Sequence, residues 1–273
     1  MGRDYDAAIA EHYAAVAHSD GLSSSSTMAD EVIRRTETDS ILAFVASALK
    51  ARRKSGPALI ADVGCGNGYT LGLLAKAFPK HKFVGIELSN ELRGLAEKRI
   101  AQDKLKNASV RTGNVRDGGF AKPGAFDILV CQRVLINLMD AGDQKTALGH
   151  IMGSVRAGGG LIFLEAFTSP LERINAARAE FDLTPIPVAH HNLYLRDDFF
   201  SDKKLKPWKR KDWTFAPNQL STHYFISRVF CPALWGAKPF VRNSHMATFF
   251  SQALPPAIGD YGQVRILAFE KGR

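Results

Sequence analysis

The run Ala61-Asp62-Val63-Gly64-Cys65-Gly66-Asn67-Gly68, with Glu87 standing 19 residues after its last glycine, constrains this chain more than any other feature. Before it, Ala58-Leu59-Ile60-Ala61 is a short apolar run behind the breaker pair Gly56-Pro57, which predicts a buried strand. After it, Tyr69 to Phe78 has helical apolar spacing and stops at Pro79. Strand, glycine turn and helix form a nucleotide-binding arrangement. Residues without a Cβ let a ligand lie against the backbone, and the first helical turn offers unpaired N–H groups. A second strand, Lys82 to Ile86, is expected to end at Glu87. A carboxylate there can accept hydrogen bonds from both hydroxyls of a ribose.

Glycine spacing separates two kinds of ligand. The dinucleotide pattern G-x-G-x-x-G needs a glycine where Tyr69 stands. The pattern here is G-x-G-x-G. With the helix behind it and Glu87 in register, Asp62-Val-Gly64-Cys-Gly66-Asn-Gly68 resembles the first motif of the class I S-adenosylmethionine-dependent methyltransferases. That resemblance covers residues 58–165 well and the rest by strand count. It implies an α/β fold: a doubly wound, seven-stranded, mostly parallel sheet of order 3-2-1-4-5-7-6 with helices on both faces and an antiparallel last strand. It implies S-adenosyl-L-methionine as cofactor. Asp62, Gly64, Cys65, Gly66 and Gly68 would face its methionine part, and Glu87, with Leu88 beside it, its ribose. Asn114 and Val115, at the end of the third strand, would meet the adenine through a side chain and a backbone N–H, with Asp117 as the alternative reader. Gln132, at the mouth of the fourth strand, would lie beside the sulfonium. A tight βα turn without a ligand is the competing explanation of the glycines, and it leaves both acids unexplained.

The 273 residues are 45% hydrophobic, enough for a sizeable core. One α/β domain over residues 1–273 is expected, with an N-terminal helical cover (1–55), a cofactor-binding core (58–165) and substrate-lid insertions (166–220 and 231–260). There is no run of 18 apolar residues, so no membrane span is expected. The N-terminal stretch is polar and carries acids, unlike a signal peptide. Three scattered cysteines fit a reduced, cytoplasmic setting without disulfides or metal spacing. The net charge of +9 raises the question of nucleic acid. Its densest cluster is Lys203-Lys204-Leu205-Lys206-Pro207-Trp208-Lys209-Arg210-Lys211, where Trp208 could stack on a base. The alternative, a solvated lysine-rich loop, is favoured. Enzymes that methylate amino groups in DNA carry Asn/Asp-Pro-Pro-aromatic after the fourth strand. Here Gln132-Arg133-Val134-Leu135 stands there. Cys231-Pro232 lies too far along for a nucleophile of cytosine C5 transfer. Oligomeric state is left open.

Further helices are expected over 4–18, 28–52, 89–103 (capped by Ser89), 142–155, 171–182 and 244–254. Further strands are expected over 108–112, 126–131, 161–165, 221–230 and 262–270. Residues 183–220 have little periodicity, and a stretch of that length suits a substrate lid better than idle loop. A hydroxyl acceptor must lose its proton as the methyl arrives, and histidine is the usual base near neutral pH. His190 and His191 lie in the expected lid, and Glu165, at the mouth of the fifth strand, is the competing base. Tyr13, Arg133, Asn137 and Tyr194 are the substrate-contact candidates. The expected reaction is methyl transfer to a small-molecule or saccharide acceptor at oxygen. The alternatives are an RNA methyltransferase using 203–211, or a cofactor-binding module without catalysis.

Overall fold

A computed structural model of the chain describes Gly21, residues 30–236 and residues 243–272. Tyr13 and the helix expected over 4–18 lie outside the described residues. Helix α1 (Glu31–Ala51) starts at Asp30, whose carboxylate accepts from the Ile33 N–H, as a helix cap should. There follow β1 (Leu59–Val63), α2 (Tyr69–Ala77), β2 (Lys82–Glu87), α3 (Asn90–Gln102) and β3 (Ala108–Thr112). The middle of the chain supplies β4 (Phe126–Gln132), α4 (Ala141–Ser154), β5 (Val155–Ala166) and α5 (Thr168–Ala179). Last come β6 (Leu205–Pro207), α6 (Ser221–Phe225), α7 (Cys231–Trp235), α8 (His245–Ala253) and β7 (Val264–Lys271). The seven strands form one sheet of order β3-β2-β1-β4-β5-β7-β6. Its first five positions are parallel, while β7 runs antiparallel to both β5 and β6. Parallel strands covered on both faces read as continuous apolar runs, and β4 up to Cys131 and the second half of β5 are buried throughout.

Helix α1 is set on the sheet by a close approach. Phe44 is fully buried, edge-on to Trp208 and Trp213 at 5.3 and 5.8 Å. Gly160 of β5 lies beneath it, where a Cβ would come within 2.9 Å of the Phe44 ring. Trp208 donates through Nε1 to Ser47 Oγ, which donates in turn to Asp212. Trp208 is therefore a core residue and not a base-stacking platform, and the basic stretch around it supplies edge strand β6.

Residues 221–230 are helical, against the expected strand. The segment runs through α6, a π-turn (Ile226–Phe230) and α7. β-Branched and aromatic residues suggested a strand, but that propensity yields to tertiary packing. Here Leu220 and Tyr224 are buried at helical spacing, and Ser227 Oγ donates back to the His223 carbonyl four residues earlier. The strand beside β7 is instead the three-residue β6, too short to leave a periodic signal.

Candidate active site

The cofactor loop joins β1 to α2. Gly64, Gly66 and Gly68 all have positive φ (67°, 54° and 75°), a region that side chains with a Cβ rarely enter. Space is also closed: a Cβ on Gly64 would stand 2.3 Å from Val134 Cγ2, and one on Gly68 2.9 Å from Ala96 Cβ. Glu87, buried at the end of β2, accepts from Gly66 N and Ser89 N at 2.9 Å each, so it holds the loop while its second lone pairs remain for further donors. Asn67 is buried and bridges the carbonyl of Gly21 and the N–H of Tyr69. The Cys65 thiol packs toward β2, where Gly85 leaves it room, and burial pushes its pKa well up. Only the Cys65 backbone can line the loop.

Asp62 lies at the end of β1, 2% exposed, and its Oδ2 has no hydrogen-bond partner. Burial, and then the charge of Glu87, push its carboxyl up to about 7. Two buried carboxylates at one loop make a site suited to a cationic ligand, and S-adenosylmethionine carries a sulfonium and an ammonium. A carboxyl raised above its unfolded pKa favours the fold in its protonated form. That contribution is complete below the ordinary aspartate range and is lost as pH rises through about 7. Asp62→Asn should therefore raise the melting temperature more at about pH 8 than at about pH 5, and should shrink the thermal shift given by S-adenosylmethionine. A variant destabilised equally at both pH values would contradict this.

On the adenine side, Leu88 is 54% exposed immediately after Glu87, an apolar surface where a purine face could rest. Asn114 already has one partner within its own turn. Its amide oxygen accepts from the Arg116 N–H at 3.0 Å, closing its own turn. Val115 is buried, and its carbonyl meets His150 Nδ1 at 3.0 Å. Asp117 is exposed.

The mouth of β4 is held from above by α1. Glu37, fully buried, accepts from Gln132 Nε2 at 2.8 Å and pairs with the Arg133 guanidinium. Burial raises its pKa, and Arg133 opposes that rise. Gln132 also accepts from Thr70 Oγ1 in α2, so one side chain ties α1, α2 and β4 together. Arg133 has φ of 55°, a strained value for a side chain with a Cβ. Glu37 carries a sequence signal: it sits between Ile33 and Ile41 at four-residue spacing, a carboxylate in the buried stripe of its helix.

Glu165, expected as base or substrate contact, does something else. It is fully buried, with burial pushing its carboxyl up to about 7. It accepts from the N–H groups of Val134, Leu135 and Ile136 at 3.0 to 3.2 Å. Its role is to shape the tight turn after β4. That turn meets the segment containing the histidine pair: Leu193 N donates to the Ile136 carbonyl, and Asn192 Nδ2 donates to Asn137 Oδ1 at 2.7 Å. His190, exposed, and His191, half-buried, stand edge-to-face at 4.9 Å on this segment. Tyr194 bonds Gln263 Oε1 before β7, and burial raises its pKa. Arg133, Asn137, His190, His191 and Tyr194 thus belong to two joined loops at one end of the sheet.

A polar cluster that sequence reasoning missed ties the late insertion to α1. Asp30 accepts from His223 Nε2 at 3.0 Å and from Arg228 at 3.2 Å, and these partners hold its carboxyl well below the usual range against the effect of burial. Arg228, on the π-turn, lies over the Tyr224 ring at 4.2 Å. Burial, moderated by Arg228 and Arg133, pushes the Tyr224 phenol up to about 12. Among the described residues no group of histidine, cysteine and acids could hold a metal ion.

An open α/β sheet with glycine turn and carboxylates at the carboxyl ends of its strands is a nucleotide-site architecture. Residues 60–159 match the methyltransferase domain family. The demethylmenaquinone methyltransferase of Lactococcus lactis is 27% identical over 107 residues, 39% of this chain and 41% of that protein. The malonyl-[acyl-carrier protein] O-methyltransferase of Priestia megaterium is 39% identical over 46 residues, 17% of each. The chain thus matches less than half the length of these relatives. The magnesium protoporphyrin IX methyltransferase of Synechocystis, solved with bound S-adenosylhomocysteine, superposes with a TM-score of 0.57 at 13% identity, over 96% of this chain and 94% of that one. Residues 60–159 thus carry an S-adenosylmethionine-dependent methyltransferase domain, and S-adenosyl-L-methionine is the cofactor of such domains. No helix among the described residues is long and apolar enough to cross a membrane.

Proposed function

We propose that this protein transfers a methyl group from S-adenosylmethionine to an oxygen of a small-molecule or saccharide acceptor. The observation that carries the reading is the meeting of two chemistries at the carboxyl ends of the central strands. The glycine loop with Asp62 and Glu87 lies at the ends of β1 and β2, and the joined loops of Arg133, Asn137, His190, His191 and Tyr194 lie beyond β4. The cofactor supplies a methyl already activated by the adjacent sulfonium charge.

The protein's work is then alignment and proton management. Glu87 and the loop N–H groups fix the donor, and alignment alone can supply roughly 7–11 kcal/mol in the best intramolecular cases. Arg133 and Asn137 orient the acceptor. His190 or His191 takes the proton from the acceptor hydroxyl as its oxygen bonds the methyl carbon, while the carbon–sulfur bond breaks and S-adenosylhomocysteine leaves. The Priestia relative is an O-methyltransferase, in keeping with an oxygen acceptor. The burial of Trp208 in the core weakens the RNA reading.

The test is transfer of radiolabelled methyl from S-adenosylmethionine to a panel of hydroxylated small molecules and sugars. With a competent acceptor found, His190→Ala/His191→Ala should lower kcat by about 10²–10⁴-fold, the usual contribution of a general base, and leave cofactor affinity unchanged. Undiminished turnover in that variant would remove the histidines from the chemistry.

A further inference from the structure

Helices α7 and α8 turn apolar side chains outward. Leu234 is 62% exposed, Phe249 64%, Leu254 39% and Phe230 36%. They are contiguous: Phe250 stacks edge-on with Phe230 at 5.8 Å and with Phe249 at 5.3 Å, and Leu234 follows Phe230 by one helical turn. Helix α8 packs Met246, Ala247 and Phe250 inward and still exposes the large apolar Phe249 on its outer face. Beneath it lies a small cluster of Ile226, Cys231 and Ala247, separate from the main core. Electrostatics point the same way. From Trp213 to Gly259 the sequence has no aspartate or glutamate, in a chain whose net charge is +9.

We propose that this face docks the protein on an anionic lipid surface. An apolar patch of this kind marks an interaction site when its members adjoin. These side chains are exposed and mutually adjacent, available for insertion among acyl chains. The acid-free insertion gives an anionic headgroup layer nothing to repel, and the overall positive charge favours approach. The same insertion places Tyr224 and Arg228 beside α1 and the Arg133 loop, so docking would set the acceptor side of the domain against the bilayer.

The test is co-sedimentation of the full chain with vesicles of phosphatidylglycerol and phosphatidylcholine and with vesicles of phosphatidylcholine alone, at low and high salt. Binding should require phosphatidylglycerol and weaken with salt. Leu234→Ser/Phe249→Ser should lower the partition coefficient by about tenfold or more while leaving the melting temperature and S-adenosylmethionine binding intact. Absence of binding at low salt, or equal binding of the double variant, would overturn the proposal. A dimer seen by light scattering, dissolved by the double variant and accompanied by no vesicle binding, would overturn it in favour of a second copy of the chain. Specific capture of an acidic protein without vesicle binding would overturn it likewise.

Discussion

Glu37→Ala is expected to lower the free energy of unfolding by about 3–5 kcal/mol, read from urea denaturation of the full chain. Removing one member of a buried pair leaves the other without compensation. The Arg133 side chain is 19% exposed and already sits on a strained backbone, and Gln132 Nε2 would lose its acceptor as well. The loss should exceed that of Glu37→Gln, which keeps an acceptor for one donor. Replacing the pair together, as Glu37→Leu/Arg133→Met, should restore most of the stability, because a well-packed apolar pair has no desolvation cost to offset. The double variant should nonetheless lose turnover, since in the proposed function Arg133 stands at the acceptor and Gln132 beside the sulfonium. A loss below about 1 kcal/mol for Glu37→Ala would mean that the pair is effectively solvated.

Gly64→Ala should abolish useful cofactor affinity, with a weakening of at least about a hundredfold, and should cost about 2–4 kcal/mol of stability. Two effects add. The new Cβ would lie 2.3 Å from Val134 Cγ2, and the φ of 67° would be strained for alanine whatever the space. They can be separated: Gly64→Ala/Val134→Ala relieves the overlap and keeps the strain, so it should recover part of the loss. Full recovery would show that backbone conformation at position 64 does not matter. No recovery would place the whole effect in the dihedral angle.

Most of the sheet was legible in the sequence because its strands are buried runs bounded by breakers and its helices carry local caps. Ser89 accepts from Leu92 N at the start of α3, where a cap was expected, and Ser244 caps α8 in the same way. The glycine loop was legible because backbone conformation dictates residue type. What failed were features fixed by distant partners. The strand expected at 221–230 is helical because of packing and Asp30, which is 193 residues from its partner His223. β6 has three residues, and its place is set by β7. Glu165 looked like a base or substrate contact because a carboxylate at a strand mouth reads so; its three backbone donors come from a turn 29 to 31 residues away. Glu37 could have been found, since a charged residue inside an apolar helical stripe needs a buried partner. Its identification with Arg133 needed the fold.

The most direct test of the central claim is calorimetric titration of the purified protein with S-adenosylmethionine and S-adenosylhomocysteine, alongside Glu87→Ala and Glu87→Gln. Saturable one-to-one binding is expected, weakened about a hundredfold in Glu87→Ala, the equivalent of two hydrogen bonds to a charged acceptor, and less in Glu87→Gln. Absence of binding by folded wild-type protein, or equal affinity in all three proteins, would contradict the account of the glycine loop and Glu87 as the cofactor site.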